Sequence, residues 1–400
     1  MKNSWKTERL ENVSREITDG SHFSPKTTAD GYPYVTVRDI ENSQIDFDNC
    51  KHVSEADFHQ LLKNGCQPHR GDILFSKDGT VGKVALVDYE RKFVVLSSLA
   101  IVRPDSRRID SAFLKYVMQS PAFLEEAIGK KTGVAIRRII LRNLKSIPVP
   151  VPPLPEQQRI VGILDEAFDG LARAKANAEK NLQNARALFE SHLQSVFADA
   201  WIRYQAVTLS DLATDITDGD HLPPPKSATG VPFITIGNIV KETRKIDFSD
   251  TFMVPRSYYE ALKPNRRPTK GDVLYTVTGS FGIPVIVDTD VEFCFQRHIG
   301  LIRPKPDTSS AWLYYLLLSP QLLKQANDGA TGAAQRTVSL SLLRSFKAPK
   351  VPIAHQRSVL SKLDTFSSET QRLESIYQQK LAALDELKES LLHQAFSGAL

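Results

Sequence analysis

Apolar residues recur at coiled-coil spacing in two long stretches of the chain. In the first, steps of four and three residues alternate as far as Ala178, where an extra step of four interrupts the alternation, through Ile160, Leu164, Ala167, Leu171, Ala174, Ala178, Leu182, Ala185, Phe189, Leu193 and Val196. The second keeps the same positions and the same interruption, through Val359, Leu363, Phe366, Thr370, Leu373, Tyr377, Leu381, Leu384, Lys388, Leu392 and Ala395. Such spacing places one stripe on one helix face. It predicts two long helices, over about 155–198 and 354–397.

A proline-rich segment precedes each predicted helix. The stretch "VPPLPEQQRIVGILDEAF" (151–168) returns as "KVPIAHQRSVLSKLDTF" (350–366), with Pro153 and Pro352 separated by 199 residues. Proline fixes φ and lacks an N–H donor, so the segment should be stiff and extended. A whole globular segment separates the two helices, which favours antiparallel pairing of their stripes. The alternative is that each helix packs only on its own domain, which leaves the shared interruption unexplained.

The repeat extends over the whole chain. "ITDGSHFSP" (17–25) returns as "ITDGDHLPP" (216–224), and the offset between the copies stays between 199 and 201 residues. Outside the helices, β-like runs at 72–76, 83–88 and 93–102 precede a helical stretch at about 111–129. We therefore predict an α+β fold with an internal pseudo-two-fold repeat. The expected division is two α+β domains at 1–149 and 200–348, with long helices in 150–199 and 349–400.

Composition narrows the class of protein but not its activity. The 400 residues are 41% hydrophobic and 24% charged, which is typical of soluble globular proteins. No apolar run is long enough for a membrane span, and three cysteines do not make a disulfide framework. We expect a cytoplasmic protein. The net charge of +5 is a weak indication of an anionic partner.

Motifs for catalysis are missing from the sequence. There is no GxxxxGK[ST] phosphate loop, no glycine-rich S-adenosylmethionine loop and no identifiable pair of base and nucleophile. Zinc-ligand residue types do cluster at Cys50, His52, His59, Cys66 and His69, but their spacing matches no common finger and the second copy lacks them. We predict no catalytic residue, no metal and no cofactor in this chain.

Basic clusters and polar loops predict contact with DNA. "SKDGT" (76–80) corresponds to "TVTGS" (276–280), so the glycine is kept while the polar side chains change. Arginine and lysine bind phosphates, and arginine also reads guanine in the major groove. The predicted DNA-binding residues are His22, Lys26, Arg38, Ser76, Lys77, Thr80, Arg137 and Arg138 in the first copy, and His221, Lys226, Asn238, Thr276, Thr278, Ser280, Arg297, His298 and Arg336 in the second.

The proline segment leading into a heptad helix, the ITDG-x-H turn and the duplication together resemble specificity (S) subunits of type I restriction-modification systems. The resemblance covers essentially the whole chain. The second copy departs from the pattern, with Ala354 and His355 where the first has Pro155 and Glu156. The resemblance implies two target-recognition domains, each reading half of a bipartite DNA target, and an antiparallel coiled coil that measures the unread spacer.

The resemblance also implies partners. It implies that the chain binds double-stranded DNA and two methyltransferase (M) subunits, with ATP-driven restriction (R) subunits able to join. S-adenosylmethionine, ATP and magnesium would then belong to those subunits. The spacer and partner-binding residues that match the family pattern are Pro153, Leu154, Glu156, Gln157, Ile160, Pro352, Ile353, Gln356 and Val359. Two alternatives stay open: a protein-binding scaffold without sequence-specific DNA recognition, and a nuclease or self-contained methyltransferase.

Overall fold

A computed structural model describes residues 5–129, 138–333, 335–397 and 399–400. The chain forms two compact units, and each contains a part of both long helices. Unit 1 comprises Met1–Glu179 with Gln379–Leu400, and unit 2 comprises Lys180–Gln378. This grouping divides the helices between the units, whereas the four-part division expected from the sequence follows the order of elements. That division stays a prediction.

The globular part of unit 1 contains twelve strands and four α-helices in the described residues. The strands are β1 (Lys6–Arg9), β2 (Ser14–Asp19), β3 (Thr27–Thr28), β4 (Tyr32–Val35), β5 (Ile40–Glu41), β6 (Gln44–Ile45), β7 (Lys51–Val53), β8 (Ile73–Ser76), β9 (Val84–Leu86), β10 (Val94–Val95), β11 (Leu99–Pro104) and β12 (Pro148–Val151). The helices are α1 (Glu55–Lys63), α2 (Ser111–Gln119), α3 (Pro121–Gly129) and α4 (Leu141–Lys145). A long helix, α5 (Leu154–Arg203), follows.

The globular part of unit 2 repeats most of this order, with no strand equivalent to β3 in its described residues and with the α-helix α6 (Leu209–Leu212) where unit 1 has a 3₁₀ helix (Leu10–Val13). Its strands are β13 (Ala206–Thr208), β14 (Ala213–Asp218), β15 (Val231–Ile234), β16 (Ile239–Val240), β17 (Lys245–Ile246), β18 (Phe252–Val254), β19 (Val273–Thr276), β20 (Pro284–Ile286), β21 (Cys294–Phe295), β22 (Ile299–Pro304) and β23 (Lys347–Pro349). Its helices are α6 (Leu209–Leu212), α7 (Arg256–Ala261), α8 (Ser310–Leu318), α9 (Pro320–Gly329) and α10 (Leu340–Ser345), before the long helix α11 (Ile353–Ser397).

Each unit is built on two main sheets. In unit 1 the orders are β2-β11-β8-β9, which is antiparallel, and β10-β4-β7-β3, in which β10 and β4 are parallel. Unit 2 repeats them as β14-β22-β19-β20 and β18-β15-β21. Buried side chains of the four-stranded antiparallel sheet, such as Ile73 and Val102, pack with Phe113 and Leu114 of α2. The predicted α+β class is therefore confirmed.

Two sequence predictions for the globular part need correction. The helical stretch at 111–129 is two helices, because Pro121 disfavours helical backbone at the residue before it, and Ser120 is extended with φ −67° and ψ 147°. The run at 93–102 is likewise two strands, β10 and β11, separated by a turn in which the Leu99 N–H donates to the Leu96 carbonyl (2.9 Å).

The proline-rich segment that precedes α5 forms a strand, β12. Pro148–Val151 pairs antiparallel with Lys6–Arg9, which closes the globular part of unit 1 next to the start of α5. Pro148 and Pro150 alternate with Val149, so their missing N–H groups face the same side of the strand. The sequence indicated extended backbone here but not its pairing partner.

The long helices confirm the heptad prediction in large part. They begin at Leu154 and Ile353, corresponding positions in the repeat, despite the different residues that follow in the second copy. All eleven predicted stripe positions of α5 are buried or half-buried. In α11 the exceptions are Leu373 and Lys388, which are exposed, while Thr370 is buried with its hydroxyl donating to the Phe366 carbonyl (2.8 Å).

Within each unit the two helices run antiparallel. In unit 1 the Lys175 ammonium lies 2.9 Å from the Asp385 carboxylate, and Arg159 donates to the carbonyl of Leu400 (3.0 Å). In unit 2 Arg186 lies 2.9 Å from Glu374. None of the helices in the described part of the chain has the length and apolar character needed to cross a bilayer.

Candidate nucleic-acid interface

The TDG-x-H turn of unit 1 lies directly on the loop that follows β10. The N–H groups of Gly20 and Ser21 donate to the carbonyls of Leu99 (3.0 Å) and Val95 (2.7 Å). A Cβ atom at Gly20 would lie 2.4 Å from the Val95 carbonyl oxygen, so only glycine permits this approach. Because both contacting groups are backbone, neither can move aside. The shape of this turn is therefore set by backbone contacts.

Unit 2 repeats the arrangement more tightly. A Cβ at Gly219 would lie 1.9 Å from the Phe295 carbonyl oxygen. The Asp220 N–H donates to the same oxygen (3.0 Å), and the Arg297 N–H donates to the Asp220 carbonyl (3.1 Å). In both units the turn is therefore fixed on the neighbouring loop by backbone contacts, which leaves its side chains to differ.

The glycine loop that follows β8 or β19 is held by a buried hydroxyl. Ser76 donates to the Thr80 carbonyl (2.6 Å) and accepts from the Lys83 N–H (2.7 Å). Thr276 does the same with Ser280 (2.8 Å) and Ile283 (3.0 Å). Both hydroxyl residues are fully buried. The prediction that they face DNA is therefore wrong for this structure; they shape the loop from inside.

Backbone hydrogen bonds join this glycine loop to the other polar segments. In unit 1 the Lys77 N–H donates to the Ser98 carbonyl (2.9 Å), and the Ile139 N–H donates to the Lys77 carbonyl (2.9 Å). Val277 occupies the same place in unit 2, with partners His298 (2.9 Å) and Val338 (2.8 Å). The glycine loop (76–80 or 276–280), the segment at Ser98 or His298 and the segment at Ile139 or Val338 thus meet at one edge of each unit, next to the TDG-x-H turn. We call this edge the polar edge.

A carboxylate at the polar edge has a different cation in each unit. In unit 1 Asp19 lies 3.1 Å from the Lys77 ammonium and 3.2 Å from His22. Only 7% of the Lys77 side chain is exposed, so this lysine neutralises Asp19 inside the fold and does not face outward as predicted. Unit 2 has no cation at the equivalent Val277. There Arg266 contacts Asp218 (3.3 Å), which also binds His221 (2.8 Å).

Two further predicted DNA-binding residues are internal. Asn238 is buried, where its side-chain oxygen accepts from the Thr235 N–H (2.8 Å) and its amide donates to the carbonyls of Asp247 and Asp250. It belongs to a capping box. The T-x-x-N spacing is the signal of this cap in the sequence. Thr278 is also buried and accepts weakly from the Thr337 hydroxyl (3.5 Å).

The remaining predicted DNA-binding residues in the described part of the chain are at least partly accessible. Exposed residues are His22, Lys26, Arg38, Thr80 and Arg138 in unit 1, and His221, Lys226, Ser280, Arg297 and Arg336 in unit 2. His298 is half-buried, and burial, helped by the Arg297 charge, lowers its pKa below the usual 6.5. Arg137 lies outside the described residues. Whether any of them contacts DNA stays a prediction.

The predicted spacer residues include a buried amide that joins each long helix to its unit. The Gln157 side chain accepts from the Asp110 N–H (2.7 Å) and donates to the carbonyls of Arg108 (3.0 Å) and Pro152 (2.8 Å). Asp110 also caps α2, since its carboxylate accepts from the Phe113 N–H. The start of α5 is therefore bonded to the start of α2.

Gln356 forms the same junction in unit 2. It accepts from Ser309 N–H (2.9 Å) and donates to the carbonyls of Asp307 (3.1 Å) and Val351 (2.8 Å). Ile160 is also buried, and Val359 half-buried, so these residues face their own unit. Pro153 and Pro352 are exposed, while Leu154, Glu156 and Ile353 are half-buried.

A tyrosine–aspartate pair, which was not among the predicted residues, reinforces each junction. The Tyr116 hydroxyl donates to Asp165 in unit 1, and Tyr315 donates to Asp364 (2.8 Å) in unit 2. Burial and the adjacent carboxylate raise the pKa of both phenols well above the usual value. The pair recurs at one offset, and that recurrence was the signal available in the sequence.

No group of three or more metal-ligating side chains gathers anywhere in the described ranges. Cys50 and Cys66 are buried, and their thiols contact the carbonyl oxygens of Phe47 (3.4 Å) and Asn64 (3.7 Å). Burial raises the pKa of both thiols. These two residues pack as small apolar side chains.

Comparison with known families accounts for the duplication. A family model described as "Type I restriction modification DNA specificity domain" matches residues 3–181 and, a second time, residues 204–382. The chain belongs to this family. Each match contains one polar edge and most of one long helix, so the family domain recurs with the same period as the sequence repeat.

Relatives of this specificity family match along the full chain. A putative type I restriction enzyme MjaX specificity subunit from Methanocaldococcus jannaschii is 22% identical, over 99% of this chain and 93% of its own length. The EcoBI specificity subunit of Escherichia coli is 20% identical over 99% of this chain and 86% of that protein.

Solved structures share the fold. A chain from a study of complex assembly and conformational transition of the type I R-M system matches with a TM-score of 0.79 and 18% identity, over 100% of this chain and 99% of that one. The HsdS subunit from Thermoanaerobacter tengcongensis matches with a TM-score of 0.56 and 18% identity, over 100% and 98%.

Proposed function

We propose that this chain is the non-catalytic subunit that selects the DNA target of a type I restriction-modification enzyme, with each unit reading one half of a bipartite, asymmetric sequence. One observation carries the proposal: two copies of one scaffold share their buried contacts but differ in the side chains at the polar edge. Ser97 is replaced by Arg297, and Thr80 by Ser280. Since arginine forks onto guanine and hydroxyls accept or donate to several bases, the two edges suit different sequences.

The exposed basic residues of each polar edge support binding to the phosphate backbone around those bases. Phosphate contacts fix orientation and register, while contacts with base edges carry the specificity. We assign Lys26, Arg138 and Lys226 to the phosphates, and Thr80, Ser280 and Arg297 to base edges. Binding should weaken steeply as salt rises, because each neutralised phosphate releases counterions.

The long helices suit a role in spacing and partner docking. Leu188 in unit 2 and Leu387 in unit 1 are exposed, and they occupy corresponding positions 199 residues apart. Matched exposed apolar side chains favour two copies of one partner, one on each unit. We propose that the partners are two methyltransferase subunits, which supply the adenine-methylating chemistry with S-adenosylmethionine.

A methylation map tests the proposed function. The chain is co-expressed with the methyltransferase encoded beside it, and the plasmid is sequenced for modified adenine. We expect a split motif with two different halves and a fixed gap, absent when this chain is omitted. Methylation independent of this chain, or a single unsplit motif, would favour the protein-scaffold alternative. Methylation or cleavage by the purified chain alone would favour the enzyme alternative.

The spacing role has its own test. Removing one heptad from each helix, 171–177 and 370–376, should shorten the gap of the methylated motif while leaving both half-sites unchanged. A change in the half-sites with the gap preserved would contradict the spacing role. Co-purification of the methyltransferase checks that the shortened chain still assembles.

A further inference from the structure

Two large apolar side chains are exposed at the same repeat position, in the turns of the two polar edges. Phe23 is 55% exposed and Leu222 is 80% exposed. They lie 199 residues apart and directly follow His22 and His221. A single exposed apolar residue is common on protein surfaces and needs no explanation. The recurrence of exposure at one position in both units is what requires a cause.

Other exposed apolar residues of the globular parts do not recur in this way. Outside α5 and α11, the large apolar side chains that are exposed in the described residues each have a polar residue at the corresponding position: Ile128 with Asn327, Ile140 with Ser339, and Val291 with Arg91. Phe23 and Leu222 therefore form the one exposed pair that both copies retain there. The two side chains differ in shape but share their apolar character.

The backbone beneath each side chain is fixed. The Phe23 N–H donates to the Ser21 hydroxyl oxygen (3.1 Å), and that hydroxyl donates to the Phe23 carbonyl (2.6 Å). Pro223 and Pro224, which have restricted φ, follow Leu222. Gly20 and Gly219 hold the turns against the neighbouring loops, as described above. A side chain on such a base loses little conformational freedom when it meets a partner.

We propose that Phe23 and Leu222 are apolar wedges, each of which inserts at a base step of the half-site contacted by its unit. The inference rests on the proposed function, because it assumes that the polar edges face DNA. Phosphates and sugars offer little to a phenyl or isobutyl group, whereas stacked bases present apolar faces. Phenylalanine and leucine are among the residues that partly unstack base steps in this way. Each half-site would then contain one easily deformed base step, at which the apolar side chain inserts.

The test uses the chain assembled with its methyltransferase subunits and duplexes that carry the target found by the methylation map. 2-Aminopurine is placed in turn at each position of both half-sites, because its fluorescence rises on unstacking. We expect a rise at one step in each half-site. Phe23→Ala should remove the rise in the half-site of unit 1 alone and weaken DNA binding about 10-fold. Leu222→Ala should act only on the other half-site.

Matched variants make the test decisive. Phe23→Leu should keep most of the fluorescence rise, and Ile128→Ala and Val291→Ala, at similarly exposed positions, should change nothing. Unchanged fluorescence and affinity in Phe23→Ala would overturn the wedge, as would loss of methyltransferase binding in place of DNA binding. A wild-type complex that selects no split target would contradict the proposed function itself, which separates the two failures.

Discussion

In each of the two units a carboxylate at the polar edge is neutralised by a cation, but the cation comes from a different position in the chain. In unit 1 the carboxylate of Asp19 is neutralised by Lys77, on the loop after β8. In unit 2 the equivalent carboxylate, that of Asp218, is neutralised by Arg266, which lies more than ten residues before Val277, the residue equivalent to Lys77. The backbone contacts that fix the turn are the same in both. Duplication has kept the backbone contacts and has let the side-chain partner change.

The contrast between the shared backbone contacts and the changed cation shows which features of the scaffold tolerate substitution. A glycine pressed against a carbonyl, or an amide that satisfies three backbone groups, has no substitute of similar shape and bonding. A carboxylate near the surface needs only positive charge within reach, and several positions can supply it. The side chains at the polar edge can therefore vary between units without loss of the shared fold, as reading of two different half-sites requires.

The largest expected effect concerns the shared amide junction. Gln157→Leu and Gln356→Leu each remove the hydrogen-bond partner of one backbone N–H and two backbone carbonyls, so each should destabilise its unit by about 4 kcal/mol. Urea unfolding measures the free energy, with exposed Gln158→Leu as the control. A change in unfolding free energy near zero for only one of the two variants would contradict the equivalence of the two junctions.

The glycine contact should come next. Gly20→Ala and Gly219→Ala push a methyl group into a backbone carbonyl, at an expected cost of about 3 kcal/mol, larger in unit 2 where the approach is closer. Gly79→Ala is the control, since a Cβ there meets open space and only its positive φ of 66° is unfavourable. Thermal unfolding of the three variants gives the order. A Gly79 variant as unstable as the other two would contradict the close-contact argument.

Removal of the cation that neutralises the polar-edge carboxylate should destabilise the two units to different extents. Lys77→Met leaves Asp19 without its buried partner and should cost about 3 kcal/mol. Arg266→Met should cost about 1 kcal/mol, because a third of the Arg266 side chain is exposed to solvent. Urea unfolding of both variants measures the two losses of stability. Equal losses would mean that the cations are equally important despite their different burial.

The smallest expected effect is a pH dependence of folding stability that arises from His298 in unit 2. Burial lowers the pKa of His298 in the folded protein below 6.5, so below pH 6.5 the unfolded chain binds a proton that the folded chain resists. Stability from this group is therefore present above pH 6.5 and declines as the pH falls through that value. His298→Gln should flatten the stability profile slightly between pH 7 and 5. Ser98→Ala at the equivalent position should leave it unchanged.

Much of the fold could be predicted because its signals are periodic. The heptad stripes gave both long helices to within a few residues at each end, and the repeat gave two equivalent α+β parts. The polar edge was only partly predictable. Its segments came from turn composition and matched offsets, but Ser76, Lys77, Asn238, Thr276 and Thr278 proved internal. A serine, threonine or asparagine can either face solvent or cap a buried backbone group. Residue type alone does not distinguish these two roles, so they could not be separated from the sequence.

The most direct test of the account exchanges one globular part for the other. In a chain whose residues 204–346 are replaced by residues 5–147, both units should present the first polar edge. Co-expressed with the methyltransferase and mapped for modified adenine, this chain should give a symmetric motif that contains the first half-site twice, with the original gap. Methylation at the original asymmetric target, by a chain shown to assemble with the methyltransferase, would contradict the claim that each unit reads its own half-site.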